Sequence, residues 1–134
     1  MSTKNIFIGG SNSEYLPSKV LEFSIRKYTK NNYNIVHLNK VIDDNRIKSV
    51  DSHQKTPFSL QRFFIPELNN FRDNALYLDS DMLFFDDINY LTEIDMQDAS
   101  IIAAKTEPKQ SSLLIINCEK VKWNINEIKK RLQN

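Results

Sequence analysis

The stretch from Ala75 to Phe85, Ala-Leu-Tyr-Leu-Asp-Ser-Asp-Met-Leu-Phe-Phe, limits what this chain can fold into more than any other. An apolar run rich in strand formers stops at two carboxylates spaced i and i+2, and a second apolar run follows at once. On a continuing strand Asp79 and Asp81 would share a face; where the strand breaks into a turn, their side chains can converge on one point. Converging carboxylates repel and raise one another's pKa unless a cation lies between them. Hard oxygen ligands suit Mg²⁺ or Mn²⁺, ions that keep positions open for substrate phosphates. The stretch therefore predicts a metal and diphosphate site at the end of a central strand. Asp-Ser-Asp is also an ordinary turn, since both residue types bond their own backbone, and spacing alone leaves the two readings open. The apolar flanks favour the metal, because carboxylates in a buried neighbourhood need a partner.

A length of 134 residues predicts one domain, 1–134, with room for a core but little to spare for two substrates. Hydrophobic residues at 40% and charged residues at 26% describe a soluble globular chain. A formal net charge of +1 gives no global pull towards nucleic acid or membrane, and no basic stripe supports a nucleic-acid partner. The one cysteine, Cys118, excludes an internal disulfide and fits a reducing compartment, with a buried, inert thiol as its expected state. The sequence shows no signal-type apolar run at its start, and no window nears the roughly 20 apolar residues of a membrane span. These features predict a cytoplasmic protein.

Asn5-Ile6-Phe7-Ile8 reads as a short buried strand running into the polar loop Gly9-Gly10-Ser11-Asn12-Ser13. The chain's two glycines both fall here, which calls for positive φ, for a backbone that something approaches closely, or for a plain tight turn. Gly-Gly lacks the spacing of a phosphate loop. A helix is expected from a Ser13 cap, with Leu16, Val20 and Phe23 joining Leu21, Ile25 and Tyr28 in a core-facing stripe. Tyr33 to Leu38 reads as a second strand, giving a right-handed parallel crossover. His37 within it is expected to be packed or exposed rather than a ligand. Asp43 to Thr56 reads as a loop, and His53 in it has no discernible partner. A short helix opens at Thr56-Pro57 and closes at Pro66. Arg62 on that helix would face a diphosphate or pair with Asp79 or Asp81. Asp86 and Asp87 read as turn and cap residues before a helical turn at Asn89 to Glu93. Ala99 to Ala104 and Leu113 to Ile116 have strand length, and the polar tract between them is expected to border the site. Asn124-Ile125-Asn126-Glu127 has the spacing of a capping box and opens a final helix.

Taken together, Arg62-Phe63-Phe64-Ile65-Pro66-Glu67-Leu68, then Ala75 to Asp81 and Met82-Leu83-Phe84, resembles the core of nucleotide-sugar glycosyltransferases with the GT-A fold. The pattern is most similar to family 8 and its relatives, which read helix, apolar strand, D-x-D. Ile6-Phe7-Ile8-Gly9, the Ser-rich helix entry and Ser111-Ser112-Leu113-Leu114-Ile115-Ile116-Asn117-Cys118 agree with it, so that the likeness runs from Ile6 to Trp123. The resemblance implies an α/β, Rossmann-like core with a mostly parallel central sheet flanked by helices. It implies that Asp79 and Asp81, with Ser80 between them, hold Mn²⁺ or Mg²⁺ on the diphosphate of a donor such as a UDP-sugar. Gly9, Gly10, Ser11, Asn12 and Tyr15 would form the loop that receives the nucleoside, Tyr15 stacking on the base. Arg62 would orient the donor or a carboxylate, and Gln110 and Ser111 match the region that touches donor sugar or acceptor. The acceptor, carbohydrate or protein, is not specified by the pattern.

Family members are commonly longer, and a C-terminal segment there supplies a histidine to the metal and much of the acceptor site. No histidine follows His53 in this sequence, which leaves water or substrate oxygens to complete the metal shell. Two functions of different class follow: a metal-dependent transferase, or a nucleotide-sugar and metal-binding module with little turnover. A haloacid-dehalogenase-like phosphatase also ends a strand in D-x-D, but there the motif sits near the first strand, and Thr or Val usually stands where this chain has Leu83.

Overall fold

A computed structural model describes residues 5–42, 57–104 and 112–133. The strands are β1 (Asn5–Gly9), β2 (Asn34–His37), β3 (Asn74–Asp79), β4 (Ile101–Ala103) and β5 (Leu113–Asn117). The α-helices are α1 (Tyr15–Tyr28), α2 (Leu38–Val41), α3 (Ile65–Leu68), α4 (Asn89–Thr92) and α5 (Ile125–Gln133), with 3₁₀ segments at Asn12–Glu14 and Pro57–Phe64. The strands form one sheet in the order β2-β1-β3-β5-β4. β2, β1 and β3 are parallel, while β5 runs antiparallel to β3 and β4 antiparallel to β5.

Alternation along the strands builds a three-layer molecule. Because successive side chains point to opposite faces, Ile6, Ile8, Leu76 and Leu78 go to one side with Leu21 and Ile25 of α1 and with Ile88 and Met96. Phe7, Ala75 and Tyr77 go to the other, against Leu60, Phe64, Ile65, Val121 and Ile125. A strand buried on both faces must be apolar throughout, which is why β1 and β3 read as unbroken apolar runs. β3 holds the centre: Ala75, Leu76, Tyr77 and Leu78 are all buried.

The expected elements are present, with four adjustments. The second strand ends at His37, and Leu38, buried, starts α2 instead of extending β2. Ser13 does not cap α1: a 3₁₀ turn intervenes, closed by the Glu14 N–H donating to the Ser11 carbonyl at 3.0 Å, and α1 begins at Tyr15. Pro66 does not end the helix after Thr56; it lies inside the first turn of α3, where its missing N–H costs no helical bond. The apolar stripe of α1 is divided: Leu21 and Ile25 are buried, but Leu16 and Phe23 are 70% and 68% exposed, and Val20 and Tyr28 are also exposed. The helix presents a face wider than the sheet beneath it can cover.

The cap and turn expectations are met elsewhere. The Asn124 side chain accepts from the N–H groups of Asn126 (2.9 Å) and Glu127 (3.2 Å), and Asp87 Oδ1 accepts from the Asn89 N–H at 2.9 Å. His37 is partly buried against Glu22 of α1, 2.7 Å from ring Nε2 to Oε1. Cys118 is fully buried, and burial pushes its thiol up to about 12. Among the described residues no helix is long and apolar enough to cross a membrane. His53, Gln110 and Ser111 lie outside the described residues.

Candidate functional site

Asp79 closes β3 beside Gly9, the last residue of β1, so the acidic pair stands at the carboxyl ends of two central parallel strands. In sheets of this kind that edge is where ligands bind. The chain turns immediately after Asp79. The Asp79 N–H still donates to the Ser112 carbonyl (2.9 Å), and the Ser80 N–H to the Gly9 carbonyl (3.0 Å), so the turn is pinned from both sides. Asp79 is half-buried, Ser80 buried and Asp81 exposed.

Asp79 is oriented from below. Tyr77, two residues earlier on the same face of β3, donates its hydroxyl to Asp79 Oδ1 at 2.5 Å. Arg62 lies over the Tyr77 ring, its guanidinium carbon 5.1 Å from the centroid, and hydrogen-bonds the phenol. A relay of Arg62, Tyr77 and Asp79 thus runs from the 3₁₀ segment to the strand end. The Arg62 charge acts on Asp79, and its contacts are with the Tyr77 ring and phenol.

Burial raises the Asp79 carboxyl above the ordinary range; the Tyr77 hydrogen bond and the Arg62 charge oppose that, and the charges of Asp81 and Glu14 add to it. Burial leads, and the charges of Asp81 and Glu14 add a repulsion that a bound cation would relieve. Burial and the bond to Asp79 push the Tyr77 phenol well above its usual value, so it stays a hydrogen-bond donor.

The two glycines have a defined task. Neither has positive φ. A Cβ on Gly9 would lie 2.5 Å from the Tyr77 hydroxyl oxygen and 2.7 Å from Cε1; one on Gly10 would lie 2.9 Å from Ser80 Oγ. The close approach anticipated at this loop is made by the chain's own Tyr77 and Ser80. Buried Gln61 completes the packing, accepting from the Gly10 N–H (2.9 Å) and donating to the Gly10 carbonyl (3.1 Å).

Ser11 follows at the loop's end, and Tyr15, 53% exposed, opens α1. The ammonium groups of Lys19 and Lys40 lie 5.8 and 5.6 Å from the centre of the Tyr15 ring. The backbone of Asn12 is in the 3₁₀ turn between them. A groove of about 420 Å³ runs from Ser80 and Asp81 along Met82 and Leu83 to Leu16, Pro17 and Val20 of α1. Just beyond Leu83, the Phe84 N–H donates to Ser24 Oγ of α1 at 3.0 Å and ties this segment to the helix.

Gln61, Tyr77 and Glu14 support this site and were not singled out in the sequence. Tyr77 carried a signal, since a residue two before Asp79 on a strand must share its face. Gln61 and Glu14 act across 51 and 66 residues and carried none.

The donor set suits a hard cation with open positions: two carboxylates, one of them destabilised in its charged form. Among the described residues no group of three or more His, Cys, Asp or Glu side chains could hold a metal. Water and substrate oxygens would supply the remaining ligands.

The sequence profile described as glycosyl transferase family 8 matches residues 8–134. No curated protein sequence matches the chain. Among solved structures, the glycosyltransferase GlyE of Streptococcus pneumoniae TIGR4 is similar in its apo form at a TM-score of 0.69 and 20% identity, covering 98% of this chain and 37% of GlyE. An active-site mutant of LgtC is similar at a TM-score of 0.71 and 14% identity, covering 97% of this chain and 66% of LgtC. The apo bifunctional glycosyltransferase WbbM gives 0.68 and 16%, with 95% and 33% covered. At these identities the structures establish a shared GT-A-type fold, and the chain spans about a third to two thirds of their length. The family match, on nearly the whole sequence, establishes more: the chain belongs to glycosyl transferase family 8.

Proposed function

We propose that the protein transfers a sugar from a nucleotide-sugar donor, a UDP-sugar, to an acceptor, with a divalent metal at Asp79 and Asp81. The observation that carries this reading is the place of the two residues, Asp79 at the end of β3 beside Gly9 of β1 and Asp81 two positions on at the mouth of an open groove, with burial and the Asp81 charge raising the Asp79 carboxyl. The galactosyltransferase LgtC, similar in fold, has been crystallised with donor and acceptor sugar analogues.

Each residue near the pair has work to do in such a transfer. Asp79 and Asp81 would hold Mn²⁺ or Mg²⁺, which when bound offsets the negative charge that grows on the departing diphosphate. Tyr77 fixes the Asp79 carboxylate with one oxygen, leaving the other for the ion. Tyr15, exposed at the head of α1, is placed for a nucleobase to stack on it, with Ser11 and Asn12 alongside. No protein nucleophile is required when the leaving group is stabilised in this way. Gln110 and Ser111 remain proposed donor-sugar or acceptor contacts on the family pattern alone.

Calorimetry of UDP with and without Mn²⁺ tests the site. Metal-dependent binding is expected in the parent chain and is abolished by Asp79→Ala or Asp81→Ala; equal affinity in all cases would leave Asp-Ser-Asp as a turn. Transfer of radiolabelled sugar, measured against donor hydrolysis, separates a transferase from a binding module that shares the geometry.

A further inference from the structure

Glu14 stands at a junction that the transfer chemistry does not by itself require. Its Oε2 accepts the Ser80 hydroxyl at 2.5 Å. Its Oε1 faces the Ser11 N–H at 3.3 Å and the Ser11 hydroxyl at 3.2 Å. One carboxylate therefore joins the loop after β1 to the turn after β3. Both of its oxygens are engaged by the protein.

Ser80 sits between the two proposed ligands and is 2% exposed. Any rotation of its backbone swings Asp79 and Asp81 relative to each other. Its N–H is held by the Gly9 carbonyl and its hydroxyl by Glu14. Gly10 is the residue that lets it pack so closely, since a side chain there would meet Ser80 Oγ at 2.9 Å. The Ser80 bond, foremost, holds the Glu14 carboxyl below its ordinary range, against burial and together with the Ser11 bonds, so the acceptor stays ionised and strong.

We infer that Glu14 is the positioning residue of the acidic pair: through Ser80 it fixes the angle between Asp79 and Asp81, and through Ser11 it locks the nucleoside-receiving loop to them as one unit. The inference rests on the metal and nucleotide reading of the site. It assigns Glu14 the role that outer-layer partners play around metal ligands, where their loss typically weakens metal binding by about 10- to 100-fold.

The test is a double-mutant cycle read by calorimetry with UDP and Mn²⁺ on the full chain, using Glu14→Ala, Ser80→Ala, the double variant and Glu14→Gln. Each alanine variant is expected to weaken Mn²⁺-dependent binding by about 10-fold. The double variant should be no weaker than Glu14→Ala, because the Ser80 bond that Ser80→Ala removes is already gone in Glu14→Ala. Glu14→Gln, which keeps one acceptor oxygen for Ser80, should fall between the parent and Glu14→Ala. Ser80→Ala removes only a hydroxyl and carries the test should Glu14→Ala fail to fold. Unchanged binding in both single variants, losses that add in the double variant, or a Glu14→Gln variant as weak as Glu14→Ala would each overturn the inference. A parent chain that binds UDP equally well without Mn²⁺ would instead overturn the reading of the site, and the inference with it.

Discussion

At the scale of the residue, the contacts that matter most here are those that leave no room. Gly9 is the sharpest case, because the atoms its missing side chain would meet belong to the buried ring of Tyr77, which has nowhere to move. Gly9→Ala should destabilise the fold by about 1–3 kcal/mol, the usual cost of overpacking. Urea denaturation measures it. Gly10→Ala meets a smaller obstacle, since Ser80 Oγ can rotate away, but only by giving up its bond to Glu14. Among the described residues, those that adopt positive φ are not glycines at all: Asn70, Phe71 and Asp73 make the reversal from α3 into β3, and Gln97 turns the chain before β4.

At the scale of the element, α1 is two-sided. Leu21 is completely buried and Phe23 largely exposed, although both fall within the same apolar pattern. Leu21→Ala should therefore cost about 2–5 kcal/mol through the cavity it leaves. Phe23→Ser should stay within about 0.5 kcal/mol of the parent, as surface changes do. Equal costs measured by denaturation would show that the exposed stripe is packed in solution. The polar side of α1 is tied to β2. Burial pushes the Glu22 carboxyl up, but hydrogen bonds from His37 and Arg26 and the charges of Lys19 and His37 outweigh it and hold the carboxyl below its ordinary range. A carboxylate depressed in the folded state adds stability that is present above its unfolded pKa and lost as pH falls through the folded value. Melting temperature measured from pH 7 downwards should thus fall less steeply in Glu22→Gln than in the parent. The difference at neutral pH should be no more than about 1 kcal/mol, because solvent screens groups this near the surface.

At the scale of the whole molecule, the sheet ranks its strands. β3 is buried on both faces and bonded on both edges, whereas β4 has three residues and one neighbour. Amide exchange should be slowest in β3 and fastest, among the strands, in β4, and a protected β4 would contradict this order. That ranking was legible in part: the unbroken apolar runs Ile6 to Ile8 and Ala75 to Leu78 read as buried strands, and they announced the central layer. The place of Asp79 at the end of β3 was legible too, because the apolar run stops there at charge, while the spacing by itself left turn and metal site open. The antiparallel return of β5 was not, since strand direction depends on the path of the connecting chain and leaves no mark on apolar periodicity. Nor was the exposure of Leu16, Val20 and Phe23, because periodicity reports which residues share a face of a helix and is silent on how much of that face a neighbour covers. The sequence by itself determined a layered α/β chain with an acidic pair at a central strand end, as local patterns of burial and charge dictate. Only the tertiary structure decided that Gln61 and Glu14 would hold the loop and the turn beside that pair, because those contacts join residues 51 and 66 positions apart and exist only once the strands lie side by side.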